Sequence, residues 1–154
     1  NGVRPYTYTH KSISNYTHYN QPLAHPLGAN FHEFISIFRY QPIPRLQTSL
    51  KYFYVTQGTD SSGSNWGSDI LIPFGTGGGN LTVEREYGNV IGQGVGRKIH
   101  MINFRASYMI FHNFYADFEL VYRNQNSQLD ERDLNTFFFT TGIRWNIPQR
   151  NFDF

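Results

Sequence analysis

Two pairs of alternating segments constrain this chain more than any other feature: residues 31–40 with 46–57, and residues 98–110 with 114–124. Each segment alternates polar with apolar or aromatic side chains, the period-2 pattern of a strand with two unlike faces. Each pair closes through a short turn at one end and opens into a long polar loop at the other. Short turns on one side and long loops on the other are the signature of a transmembrane β-barrel. The pattern therefore predicts an all-β, antiparallel transmembrane barrel, crossing the outer membrane several times. It constrains location far better than activity.

Composition agrees with that reading and removes several others. At 154 residues the chain is one domain or part of one. Only 39% of it is hydrophobic, so no apolar run reaches the ~18 residues of a helical membrane span. A barrel escapes this test because only every second residue faces lipid. The 18% aromatic content, with eleven Tyr and fourteen Phe, suits both strands and interfacial girdles. A soluble β-sandwich rich in tyrosine is the competing fold, since it shares the alternation. The absence of cysteine excludes a disulfide framework, a thiolate metal site and a cysteine nucleophile. A net charge of +2 without any Lys/Arg run gives no reason to expect nucleic acid as a partner. The sequence starts at Asn1 with no signal-like apolar stretch, so a processed or truncated start is expected for a protein of this envelope.

Along the chain, residues 3–10 read as a first strand, with Pro5 near its start. Residues 11–30 form a long connection. The prolines of Gln41-Pro-Ile-Pro-Arg45 predict a tight turn after the second strand. In residues 46–57, Leu46, Thr48, Leu50, Tyr52 and Tyr54 would face lipid and Gln47, Ser49 and Lys51 the lumen. Residues 58–97 look like a large external loop, with a small hairpin of 69–74 against 81–86 around a turn at 75–80. In the third and fourth long strands, Ile102, Phe104, Ala106 and Tyr108 oppose Asn103, Arg105 and Ser107, and Ala116, Phe118, Leu120 and Tyr122 oppose Asp117, Glu119 and Arg123. Residues 125–133 make a charged loop. Residues 135–146 form the last strand, with Phe137, Phe139, Thr141, Ile143 and Trp145 outward and Thr140, Gly142 and Arg144 inward.

Six spans fall short of the ~8 strands of the smallest closed bacterial barrel. Unpaired strand edges in lipid would leave backbone groups unsatisfied at several kcal/mol each, as an order of magnitude. Residues 1–154 are therefore expected to be the C-terminal portion of a single, larger barrel domain.

Two segments carry a resemblance. The stretch Tyr16-Thr-His-Tyr-Asn-Gln-Pro-Leu-Ala-His-Pro-Leu-Gly-Ala-Asn-Phe31 resembles a segment of the RemB-like gliding-motility proteins of Bacteroidota. The closing Gly142-Ile-Arg-Trp-Asn146 and Arg150-Asn-Phe-Asp-Phe154 resemble the end of the same proteins. That group is similar in style to capsule-assembly barrels, which display a surface for exopolysaccharide. The resemblance implies a barrel of many strands acting in surface adhesion, motility or envelope assembly, with no established catalytic residues. It also implies that Phe154 matches the C-terminal signal read by the barrel-assembly machinery, although Pro148 interrupts the strand before it.

Few constellations carry chemistry. His10 and Ser12, two apart, are expected to share a face with Tyr6 and Tyr8, the lipid face at the outer rim, where an imidazole could act as general base to a hydroxyl. Such a His-x-Ser pair resembles outer-membrane phospholipases and lipid A deacylases, but no third group orients His10 and no oxyanion donors stand out. His18, His25 and His32 lack metal-ligand spacing on any one element. Asp60 and Asp69 offer oxygen ligands for calcium at a spacing unlike an EF-hand loop. The glycines of 75–79 and 92–96 join no strand to a helix and lack the lysine of a phosphate loop. Trp66 and Tyr87 in the large loop would stack on sugar rings. Inward charges Lys51, Arg105, Asp117, Glu119, Arg123 and Arg144 would form a ladder on the lumen wall, lining a channel or pairing among themselves.

The sequence thus predicts a non-enzymatic outer-membrane barrel without cofactor or metal. Its expected partners are outer-membrane lipid, the barrel-assembly machinery, and surface polysaccharide or other envelope proteins. An exopolysaccharide-binding or transport barrel and a lipid acyl hydrolase are the alternatives.

Overall fold

The computed structural model describes residues 1–10, 15–74 and 83–147. Eight strands follow in chain order: β1 (Gly2–Val3), β2 (Thr17–His18), β3 (Gln21–Pro22), β4 (Phe31–Ile43), β5 (Leu46–Thr59), β6 (Val95–Phe111), β7 (Phe114–Ser127) and β8 (Leu134–Trp145). A single 3-10 turn, Asp130–Arg132, precedes β8. Six strands form one antiparallel sheet in the order β1-β4-β5-β6-β7-β8, and β2 with β3 forms a separate ribbon. The six-stranded antiparallel sheet agrees with the expected number of strands, and no pairing among the described residues closes β8 onto β1.

Two-residue turns, Pro44-Arg45 and His112-Asn113, join β4 to β5 and β6 to β7. Side chains hold the first: Gln41 Nε2 donates to the Pro44 carbonyl at 3.0 Å and Thr48 Oγ1 to the Tyr40 carbonyl at 2.7 Å. In the second, Asn113 takes a left-handed φ of 61°, which asparagine tolerates better than most residues. The strands of 12 to 17 residues from β4 onward all exceed the ~9–11 that a tilted strand needs to cross a bilayer.

The first segment departs from expectation. Only Gly2 and Val3 pair, with His32 and Phe31, and residues 5–8 form a turn in place of the strand expected over 3–10. Pro5 withholds a ladder donor, and Tyr6, at φ 59°, turns inward. The Tyr6 ring meets Phe74 edge-on at 5.1 Å, and its hydroxyl donates to the Asn65 carbonyl at 2.5 Å. Tyr6 is thus buried and does not share a lipid face with Tyr8. The prolines of 41–45 also stop pairing later than predicted, because Pro42 lies within β4. β1 covers only the start of β4, leaving an edge strand on which proline is tolerated. The large loop is 60–94 and not 58–97, since Thr59 Oγ1 still bonds the Val95 carbonyl at 3.0 Å. Within it, residues 69–74 make turns and bends instead of a hairpin strand, and the expected turn at 75–80 lies outside the described residues.

The chain divides into two compact units. The first comprises Asn1–Phe34, Phe53–His100 and Asn124–Leu134, and the second Ile35–Tyr52, Met101–Arg123 and Asn135–Phe154. Phe31, Val55 and Ile99 form the core of the first, with Val3 and Leu27 packed against them. Polar side chains complete it. Fully buried Asn30 donates from Nδ2 to the carbonyls of Gly58 and Gln93, at 2.9 and 2.8 Å, and accepts the Gly92 amide on Oδ1 at 2.7 Å. Gln57 Nε2 reaches the Leu27 and Ala29 carbonyls, while its Oε1 accepts two bonds from Arg97.

The second unit has no comparable interior. One face of its strands carries Phe38, Tyr40, Leu50, Phe104, Phe118 and Phe139 at alternate positions. No Asp, Glu, Lys or Arg occurs at the even positions of 36–42, 46–52, 102–110 and 114–122 or the odd positions of 135–145. Phe118 joins Phe104 and Phe139 in edge-on contacts at 6.1 and 5.1 Å. The opposite face holds the charges.

Candidate functional site

The charged face of the second unit is the most organised polar surface in the chain. Period-2 geometry puts Asn103, Arg105 and Ser107 of β6 beside Asp117 and Glu119 of β7, with Arg144 of β8 next to Asp117. Arg144 Nε donates to Asp117 Oδ2 at 2.8 Å, and its Nη2 to Asp117 Oδ1 and Ser107 Oγ at 3.3 and 3.2 Å. Ser107 Oγ donates to the same carboxylate at 2.5 Å. The Arg144 guanidinium also lies 4.3 Å from the centre of the Tyr115 ring. Arg105 Nη2 meets both oxygens of Glu119 at 3.1 Å, and Asn103 Nδ2 donates to Glu119 Oε1 at 2.6 Å. Four of the six residues expected to form a ladder are therefore joined directly.

The other two, Lys51 and Arg123, fall on the same face by strand parity, and Lys51 is within electrostatic reach of Glu119. A groove of about 440 Å³ runs along Arg105, Asp117, Glu119, Thr140 and Arg144. A neighbouring groove of about 340 Å³ is lined by Arg39, Gln41, Gln47, Ser49, Arg105 and Ser107. Sequence reasoning missed Arg39 and Tyr115. Arg39 lies in a segment with apolar residues on both faces, Phe34-Ile-Ser-Ile-Phe38, where alternation is blurred. Tyr115 shares the parity of Asp117 and could have been found from it.

The Arg144 fork predicts a graded effect. Arg144→Lys keeps the charge but loses the paired donors and the flat face over Tyr115. The temperature at which the folded gel band disappears is expected to fall for Arg144→Lys and further for Arg144→Gln. Equal midpoints for all three proteins would show that the fork contributes nothing.

In the first unit, Trp66 is a fixture of the loop. Its amide bonds the Asp60 carboxylate, its carbonyl accepts Gln93 Nε2 at 3.1 Å, and Arg85 lies over its ring at 5.9 Å. A side chain on Gly94, at φ +90°, would strike Trp66 at Cβ and Cγ, so the glycine backbone lies against the base of that half-buried aromatic. Tyr87, in contrast, is 81% exposed. Asp60 is engaged on both oxygens, taking Trp66 N on one and Ser68 Oγ and Asp69 N on the other, at 3.0 and 2.9 Å for the latter two. Those three donors fold the loop around the carboxylate and take three of its about four lone-pair sites. Burial pushes the Tyr6 phenol pKa up.

His10 contributes backbone bonds, its amide to Asn15 Oδ1 and its carbonyl from the Phe74 amide, both at 2.9 Å. Ser12 and Phe154 lie outside the described residues. His25 stacks on Phe31 at 4.5 Å and meets Glu33 Oε2 at 3.2 Å, whereas His18 packs on Tyr19. Among the described residues no three His, Cys, Asp or Glu side chains gather as a metal site would require.

Protein-family models, curated proteins and solved structures return no match to this chain.

Proposed function

We propose that these strands are a section of an outer-membrane β-barrel, with the uncharged face toward lipid and the charged face toward a polar lumen. The supporting observation is the uncharged face itself. Phe38, Tyr40, Phe137, Phe139, Ile143 and Trp145 are each more than half exposed. At ~200 Å² per aromatic side chain, the five aromatics alone leave on the order of 600 Å² of apolar surface open. That is the upper end of the largest patch on a typical water-soluble monomer, and the remaining apolar positions extend it. A bilayer removes the difficulty. Eight residue steps separate Phe137 from Trp145, roughly 26 Å at ~3.3 Å per residue, which at a tilt of ~40° covers ~20 Å of an apolar band ~25 Å tall.

A barrel in lipid must also satisfy its edges. The open edge of β8 would expose about a dozen backbone donors and acceptors, a cost of tens of kcal/mol at roughly several each. Further strands on both edges, in one larger barrel, remove that cost. The protein then acts without catalysis in cell-surface adhesion, gliding motility or envelope assembly, as the resemblance of 16–31 to RemB-like proteins suggests. Its partners are outer-membrane lipid, the barrel-assembly machinery, and surface polysaccharide or other envelope proteins.

The test is the protein purified from detergent-solubilised envelopes. A heat-dependent gel shift and an intact mass well above 18.0 kDa are expected. A strain lacking the protein should lose spreading or surface attachment while remaining viable. A chain of this mass that stays soluble without detergent would replace the barrel with a β-sandwich.

A further inference from the structure

The charged face divides into a half that satisfies itself and a half that does not. Asp117 and Glu119 are consumed by Arg144, Arg105, Ser107 and Asn103. In the adjoining groove, Arg39, Gln47 and Ser49 make no side-chain hydrogen bond to any described residue, and Arg105 uses only Nη2 toward Glu119. Arg39 thus adds a cation to this face beyond the Arg105–Glu119 and Arg144–Asp117 pairs. Arg39 and Arg105 are exposed along this groove, so their unused guanidinium donors are open to a ligand from solution, beside the amide of Gln47 and the hydroxyl of Ser49.

We infer that the groove between Arg39 and Arg105 is a seat for an oxyanion. Two guanidinium groups supply charge-assisted donors of the planar kind that suit carboxylate, sulfate and phosphate. Gln47 and Ser49 add neutral donors at the same wall. The volume, about 340 Å³, is at the small end of ligand sites and suits a single anionic group with its immediate substituents. Such an anion arrives either free or as a substituent on an acidic polymer, and the chemistry at the groove is the same.

This inference rests on the polar face lining a wet lumen, so its test first secures the barrel by heat-dependent mobility. The purified full chain in detergent is titrated calorimetrically at low salt with inorganic phosphate and, separately, with polygalacturonate; neutral dextran is the blank. Saturable binding of at least one anionic probe is expected, weakened tenfold or more by Arg39→Gln and less by Arg39→Lys. Lys98→Gln, which removes the same charge elsewhere, should leave binding intact. Binding of phosphate alone identifies a free anion as the ligand, and binding of polygalacturonate alone identifies an acidic polymer. No binding of either, equal binding of dextran, or indifference to Arg39→Gln overturns the seat. A protein without heat-modifiable mobility fails the barrel reading instead.

Discussion

Phe139→Arg is expected to abolish the heat-modifiable folded band and leave the protein aggregated and protease-sensitive in the envelope fraction, whereas Thr140→Arg retains it. The two positions are neighbours on β8 and point to opposite faces. Phe139 packs on Phe118 at the middle of the uncharged face, where a guanidinium would stand in hydrocarbon at a cost of ~2–4 kcal/mol. Thr140 lines the groove with Arg105, Asp117 and Arg144, where an added cation meets water and a carboxylate. A loss of 2–4 kcal/mol, as an order of magnitude, is a large share of the 5–15 that stabilises a typical domain. Phe139→Leu separates charge from shape, since it keeps the apolar contact and should fold. Equal tolerance of Arg at 139 and 140 would remove the assignment of the two faces, and with it the lumen.

How much of this was legible beforehand depends on what fixes each element. β5, β6, β7 and β8 are set by alternation, because one face of each must be apolar and the other polar; shared parity places Arg105 beside Glu119 and Asp117 beside Arg144, and both pairs are in contact. Where alternation fails, so does the reading. β4 carries Phe34, Ile35, Ile37 and Phe38 on both faces, which hid that Arg39 shares the parity of the charged face. Residues 3–10 alternate by accident: the pattern is there, yet Tyr6 gains more from Phe74 and the Asn65 carbonyl than from pairing. The contacts of Asn30, Gln57 and Gln93 were invisible for a different reason. Each joins backbone groups from segments 27 to 63 residues away, and no local period records such partners. Composition could not show that Trp66 packs partly buried against Gly94 while Tyr87 stands 81% exposed.

The second large effect is expected at that buried clasp. Asn30→Ala removes the partners of the Gly58 and Gln93 carbonyls and of the Gly92 amide in one step. Buried groups left unpaired cost ~1–3 kcal/mol each, so a loss of about 2–5 kcal/mol is expected after partial relaxation. Asn30 also holds a φ of 60°, which alanine tolerates poorly. Gly58→Ala strikes the same clasp from the other side, since its Cβ would lie 1.8 Å from the Gln93 carbonyl oxygen and 2.6 Å from Asn30 Nδ2. No rotamer relieves a backbone clash of that size, so either the loop exit at Gln93 or the end of β5 must move. Gly142→Ala is the matched control, because nothing lies within 4 Å of its added carbon. Limited proteolysis reads the difference: Asn30→Ala and Gly58→Ala should open residues 60–74 and 83–94 to cleavage at temperatures where these segments resist in Gly142→Ala and the parent chain. If all four proteins resist alike, Asn30 does not hold the loop, and the loop's order must come from the Asp60 and Gln93 contacts alone.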